Sequence, residues 1–310
     1  MVKSLSPAEA AQRRKGTFIL SLLLAGATVV LLAAGALVTS TGSSLAVPDW
    51  PLAYGQWIPP MEGGILFEHG HRLVATTVGL LTVILLVWVL RHEPRPLVRR
   101  LAIIAMGLVV FQGLLGGITV LLQISKPISV LHALTAQLFF LTTVVMAQIS
   151  APSWETISSH RENTGKAARM GALTVLVLLV QLVLGATTRH NNAGLAIPDF
   201  PLAYGQIIPP LDSFPVAIHF AHRIGSLVVV GLAAHMASSA LLRGGPFLKV
   251  PALAILLLVT AQFLLGASII WTEKAVLITV LHLVNGALLL GATGWLTLRA
   301  RVMSSNWGKS

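Results

Sequence analysis

Eight stretches of the chain carry apolar residues almost without interruption, at about residues 18–39, 66–90, 101–122, 130–150, 171–188, 216–241, 251–271 and 277–298. A helix needs about 20 mostly apolar residues to cross a bilayer, and each stretch meets that length. Each is too long and unbroken for a tilted barrel strand, so the pattern predicts eight transmembrane helices. The expected fold class is an all-α integral membrane protein.

The same pattern occurs twice. VPDWPLAYGQWIPP (47–60) returns as IPDFPLAYGQIIPP (197–210), with eleven of fourteen positions identical at an offset of 150. Gly35 matches Gly185. QGLLG (112–116) matches QFLLG (262–266), and VLHAL around His132 matches VLHLV around His282. EHGHR (68–72) matches HFAHR (219–223), with one extra residue in the second copy. Each half is thus a four-helix unit. Because four is even, the halves sit the same way up, as two pseudo-symmetric four-helix bundles related by an axis along the membrane normal. The expected division is 1–150 for the first half, 151–168 (APSWETISSHRENTGKAA) for a cytoplasmic linker, and 169–310 for the second half. Both copies of the proline-rich loop join the first two helices of a half. Their prolines limit regular structure, and short stretches of them are candidates for helices lying on the outer surface, as lids over a site in each half.

Composition agrees with the pattern. The chain is 55% apolar and 10% charged, with a mean hydropathy of +0.84, whereas soluble domains carry about a quarter charged residues. The net charge of +11 would suggest a polyanionic partner, but its distribution argues otherwise. With the N-terminus in the cytoplasm, 16 of the 21 Lys and Arg fall on inner segments: Lys3, Arg13, Arg14, Lys15, Arg91, Arg95, Arg99, Arg100, Arg161, Lys166, Arg169, Arg243, Lys249, Arg299, Arg301 and Lys309. Five fall outside: Arg72, Lys126, Arg189, Arg223 and Lys274. This positive-inside bias places both termini in the cytoplasm and leaves no role for nucleic acid. The basic QRRK ahead of the first span is compatible with a signal peptide, but the repeat argues for its retention. There is no cysteine, which excludes disulfides, thiolate ligands and haem attached through CxxCH.

Candidate chemistry lies in the histidines. His92, His160 and His190 fall in loops as solvated residues, and His235 lies deep in the sixth span as a packing residue. His71, His132, His222 and His282 differ. Ionisable residues inside spans are costly and mark function. Each of the four stands about one turn inside the outer end of an even-numbered span, so all share one depth, and each half contributes a pair from two parallel helices. Paired imidazoles across a bundle are the arrangement that ligates a haem iron on both faces. Zinc would call for more ligands than each half offers. Arg72 and Arg223 follow two of these histidines, as candidates for holding haem propionates bidentately. Glu68, three residues before His71 and on the same helix face, has His219 as its counterpart. A carboxylate beside one haem only suggests different work in the two halves, because it can take a proton or stabilise a developing cation. The residues by themselves leave open an oxidising enzyme, a di-haem b-type cytochrome in quinol electron transfer, and a haem-handling membrane carrier, since parallel repeats also occur in transporters.

The repeated halves, E-x-x-H at Glu68–His71, His132, H-x-x-H at His219–His222, and His282 together resemble the haem A synthase family of the CtaA/Cox15 type, over essentially the whole chain. The resemblance implies oxidation of the C8 methyl of haem O to a formyl group, giving haem A for cytochrome oxidase assembly. It implies haem b as cofactor, ligated by His222 and His282 with Arg223 nearby, and substrate haem near His71, His132 and Arg72, with Glu68 as the catalytic carboxylate. Haem O synthase is the partner it suggests and a quinol the candidate electron donor; a homo-oligomer is compatible with it. The location implied is the plasma membrane, with haem sites near the outer face. Many bacterial members carry a cysteine pair in an outer loop, and this chain has none, so no step here passes through such thiols. The roles of His69, His219 and His235 stay open.

Overall fold

A computed structural model of the chain describes residues 7–123 and 125–304. Of the basic residues above, Lys3 and Lys309 lie outside the described residues, as does the side chain of Arg243. The helices are α1 (Pro7–Ser40), α2 (Gly63–His92), α3 (Pro96–Leu121), α4 (Lys126–Ser150), α5 (Trp154–Ser159), α6 (Gly165–His190), α7 (Phe214–Arg243), α8 (Pro246–Trp271) and α9 (Val276–Met303). All but α5 are long and apolar enough to cross a membrane, so the eight apolar runs are eight helices. Most helices extend a few residues past those runs and α1 begins well before its run, at Pro7, because a polar residue at a water-facing end still completes a backbone hydrogen bond. For the same reason α6 begins at Gly165, inside the stretch assigned above to the linker, and the short α5 forms within that linker. Five starts carry proline in the first turn: Pro7 of α1, Pro96 of α3, Pro127 of α4, Pro215 of α7 and Pro246 of α8. There the missing N–H costs nothing and the fixed φ suits a helix.

In the first half α1 packs on α2 and α4, and α3 packs on the same two, closing a four-helix ring. In the second half α6 and α8 each pack on α7 and α9. The rings join through α1 with α9, α4 with α6, and α4 with α9. Exchanging the halves maps this set onto itself, as a two-fold along the bundle requires. The seam depends on small residues on one side. A Cβ on Gly291 would lie 3.0 Å from Phe140 Cε1, and one on Gly294 would lie 2.5 Å from Leu141 Cδ1. Leu141 and Val144 are the first-half counterparts of those two glycines at the 150-residue offset, so at this crossing one half supplies the bulk and the other the space.

The apolar core fills only part of each bundle. In the first it runs from Leu24 of α1, Val78 of α2, Ala105 of α3 and Phe139 of α4 toward the linker end. In the second it includes Val229 of α7, Val259 of α8 and Leu289 of α9. Toward the opposite end, where the two proline-rich loops lie, residues 31–35 of α1 and 181–187 of α6 are only half-buried. The four spaced histidines occupy this less filled end.

Candidate functional site

His71 stands eight residues after the start of α2 and His222 eight after the start of α7; His132 stands six into α4 and His282 six into α9. At 1.5 Å per residue these are depths of about 12 Å and about 9 Å. His71 and His132 lie within Coulombic reach of one another, as do His222 and His282. The structure therefore gathers the predicted residues into two pairs, one per bundle.

A glycine of the preceding long helix receives each of the four rings, a feature that the sequence pattern alone did not single out. A Cβ on Gly35 would lie 3.1 Å from His71 Cε1, on Gly116 3.6 Å from His132 Cε1, on Gly185 2.8 Å from His222 Cε1, and on Gly266 3.3 Å from His282 Cε1. Hydrogen there lets an imidazole lie flat against the neighbouring backbone. Gly185 leaves the least room and Gly116 the most. Gly185→Ala should therefore force His222 to move, at an overpacking cost of about 1–3 kcal/mol. Thermal unfolding in detergent should show a lowered midpoint for Gly185→Ala and an almost unchanged one for Gly116→Ala. Equal midpoints for the two variants would contradict the cradle.

The rings are held differently in the two halves. Gln181 Nε2 lies 3.0 Å from His222 Nδ1 and donates to His222 O at 2.8 Å. Its first-half counterpart is Leu31, so only His222 has this support. An amide carries both a donor and an acceptor and can meet either tautomer of the ring. Gln262 Nε2 lies 3.2 Å from His282 Nε2, a contact that a metal on that nitrogen would replace, and its Oε1 accepts from Asn285 at 2.8 Å. Gln112 instead donates to His132 O at 2.7 Å and Thr135 Oγ1 at 2.8 Å. Nδ1 of His71, His132 and His282 has no well-aligned hydrogen-bond partner, but the backbone of Leu31, Gln112 and Gln262, one turn before each cradling glycine, stands within reach of the three rings.

Above each pair lies a loop of unusual order. Asp49 Oδ1 and Oδ2 accept from the N–H groups of Tyr54 and Gly55 at 2.7 and 2.9 Å, and Asp199 does the same for Tyr204 and Gly205 at 2.7 and 2.8 Å. Tyr54 donates its hydroxyl to Ala46 O, and Tyr204 to Ala196 O. Tyr54 and Gly55 both have positive φ, 53° and 71°, between the paired residues Ala53 and Gln56. That is the turn chemistry of a two-residue hairpin. The surface helices considered for 47–60 and 197–210 do not form, because prolines and these side-chain-capped turns satisfy the backbone instead. Hydrogen bonds from Gly55 and Tyr54 hold the Asp49 carboxyl below its ordinary pKa, and those from Gly205 and Tyr204 do the same for Asp199.

Glu68, Arg72, His219 and Arg223 fasten these loops. Arg72 donates to the carbonyls of Asp49, Leu52 and Val47 at 2.8, 3.0 and 3.2 Å, and to Glu68 Oε1 at 2.7 Å. Arg223 donates to Leu202 O and Ile197 O at 3.0 and 2.9 Å. Both guanidinium groups thus clamp loop carbonyls. Buried Glu68 accepts the Val47 N–H at 2.8 Å through Oε2. His219 accepts the equivalent Ile197 N–H at 3.2 Å through Nδ1. The two residues make the same loop contact with different charge and different capacity for protons. In the first half Trp50 completes the attachment, its indole resting on Gly117 of α3, where a Cβ would lie 2.7 Å from Trp50 Cδ2.

The remaining histidines are distributed as follows. His92 ends α2 and stacks on Trp88 with centroids 4.2 Å apart, and His160 binds Glu162 at 2.8 Å. His190 is not a freely solvated loop residue: it is the last residue of α6 and half-buried beside Arg189. His235 is not packed inside: Ala233, Met236 and Ala237 take the buried positions of α7, which turns His235 outward. His69 is buried with both ring nitrogens unpartnered.

A pair of imidazoles in each half, a glycine cradle under each ring and a loosely filled bundle end together fit a planar macrocycle ligated from two sides. A bare metal ion fits less well: among the described residues no group of three His, Cys, Asp or Glu is close enough to hold one. Residues 63–293 match the COX15-CtaA family, described as cytochrome oxidase assembly protein. The chain is 31% identical over 293 residues to the heme A synthase of Alkalihalophilus pseudofirmus, covering 90% of this chain and 96% of that one. It is 31% identical over 273 residues to the heme A synthase of Shouchella clausii, covering 85% and 89%, and 36% identical over 219 residues to that of Symbiobacterium thermophilum, covering 67% and 71%.

Proposed function

The chain belongs to the COX15-CtaA family of cytochrome oxidase assembly proteins, and from that premise we propose how its two halves divide the work of a haem A synthase. It is a multi-pass membrane oxidoreductase that converts haem O to haem A, oxidising the C8 methyl to a formyl group. The first half, residues 1–150, takes the substrate haem between His71 and His132. The second half, 169–310, holds a b-type haem between His222 and His282. When bound, that haem supplies a one-electron redox centre.

The observation that carries the division is the one ionisable position at which the two sets of loop anchors differ. Glu68 and His219 make the same contact to their loops, yet only Glu68 is a carboxylate. Oxidising a methyl carbon to an aldehyde removes electrons in pairs and releases protons. Glu68 has two hydrogen bonds in place and lone pairs to spare on both oxygens, so it can accept a proton or stabilise positive charge near the reacting carbon. Arg72 keeps that carboxylate oriented and ties it to the loop. The second half needs no proton acceptor to move electrons, and there Gln181 orients His222 instead, as hydrogen-bonded neighbours of metal ligands do. Haem O enters laterally from the bilayer, its farnesyl tail among the apolar helices. The loops then exclude water at the mouth, with Arg72 and Arg223 supplying positive charge near the propionates. The excess of basic residues on the linker side supports a reading in which both termini are cytoplasmic and the haem sites lie near the outer face of the plasma membrane. Haem O synthase is the natural supplier of substrate. Because the methyl carbon itself loses electrons, a quinol is the candidate electron source as co-reductant of dioxygen, one oxygen atom passing to the carbon and the other leaving as water at each step.

Expression in cells with and without a haem O source, followed by pigment extraction and chromatography, tests the reading. Haem A should accumulate only when haem O is supplied. Two permanently bound b haems and no haem A would instead identify a di-haem cytochrome.

A further inference from the structure

We propose that Arg189, with His190 beside it, binds a propionate carboxylate of a bound haem at the seam between the two bundles. The inference rests on the haem reading above and adds a ligand contact to it. Arg72 and Arg223 are already committed to loop carbonyls. Arg189 is not: its Nη2 donates to Ala36 O at 2.8 Å and Ser40 Oγ at 2.9 Å, both neutral acceptors. Its Nε and Nη1 hydrogens make no hydrogen bond among the described residues, and none of the ion pairs among the described residues includes it. A partly buried cation at the end of a membrane span is costly to keep without a counter-charge.

Its position supplies the anion's identity. Arg189 stands one turn beyond Gly185, the residue that cradles His222, and it reaches the carbonyl of Ala36, next to Gly35, which cradles His71. It lies within Coulombic reach of His282, and His190 lies within reach of His132. His282 of the second pair therefore lies within the field of this cation, and His132 of the first within that of its neighbour His190. The feature also breaks the repeat: the first half has Thr39 and Ser40 at the equivalent positions. A guanidinium that is both unpaired and set between two haem-grade sites matches the planar, bidentate carboxylate of a porphyrin side chain. Which haem contributes the carboxylate is the question the arms of the test separate.

Full-length protein in detergent would be titrated with ferric protoporphyrin IX and with its dimethyl ester, following the Soret band, in a His132→Ala background to read the second site and a His282→Ala background to read the first. A charge-assisted contact predicts about ten- to hundredfold preference for the free acid at the site Arg189 serves. Arg189→Gln should cut that preference by about tenfold or more at one site while leaving ester affinity unchanged, and Arg189→Lys should retain part of it. An unchanged preference in Arg189→Gln at both sites, or equal loss for acid and ester, overturns the proposal. Failure of the unsubstituted chain to bind either porphyrin would instead overturn the haem reading itself.

Discussion

Glu68→His abolishes conversion of haem O to haem A while leaving the first loop in place: that is the expected result with the largest effect. The substitution installs the residue that the second half uses at the same point. An imidazole there should still accept the Val47 N–H, as His219 accepts that of Ile197. What it removes is the carboxylate. Loss of a positioned acid–base group typically costs about 10²–10⁴-fold in rate, so haem A in extracted pigment should fall below detection, with the b-type spectrum unchanged. Glu68→Gln should behave alike in conversion. Glu68→Ala should lose conversion and also loosen residues 47–60, seen as faster limited proteolysis, because the buried N–H of Val47 loses its acceptor. Full conversion by Glu68→His would mean that the residue is a loop anchor only, and the division of labour between the halves would fall.

The second large effect separates the bundles. His222→Ala or His282→Ala should eliminate the low-spin b-type signal of the purified protein, since on the proposed division each would remove one of the two imidazoles that would hold the cofactor. Either change should also lower thermal stability, because a cofactor bound only to the folded state contributes to its stability by mass action. His71→Ala and His132→Ala should keep the b-type signal and stop conversion. A b-type signal that survives in His282→Ala but disappears in His71→Ala would reverse the assignment of cofactor and substrate halves.

Much of this was legible along the chain. A run of about 20 apolar residues has one solution in a bilayer, so the eight spans followed from local sequence. The 150-residue repeat revealed the two halves and the equivalence of His71 with His222 and of His132 with His282, because equal spacing from a helix start means equal depth whatever the neighbours are. The difference between Glu68 and His219 was visible for the same reason. Contacts were not legible. Arg72 and Arg223 were legible as cations beside the histidines, but the loop carbonyls they also hold were not. His235 looked buried because its helix is apolar, yet it faces outward, since apolar residues cover both faces of a helix in lipid and periodicity loses its meaning there. The glycine cradles, the loop turns capped by Asp49 and Asp199, and the reach of Arg189 into the other bundle are pairings between residues distant in the chain. Hydropathy and repetition by themselves determined which residues cross the membrane, at what depth, and how many times; only the packing of helix against helix decided which side chain meets which partner, because that depends on rotation and neighbour, quantities a linear pattern does not contain.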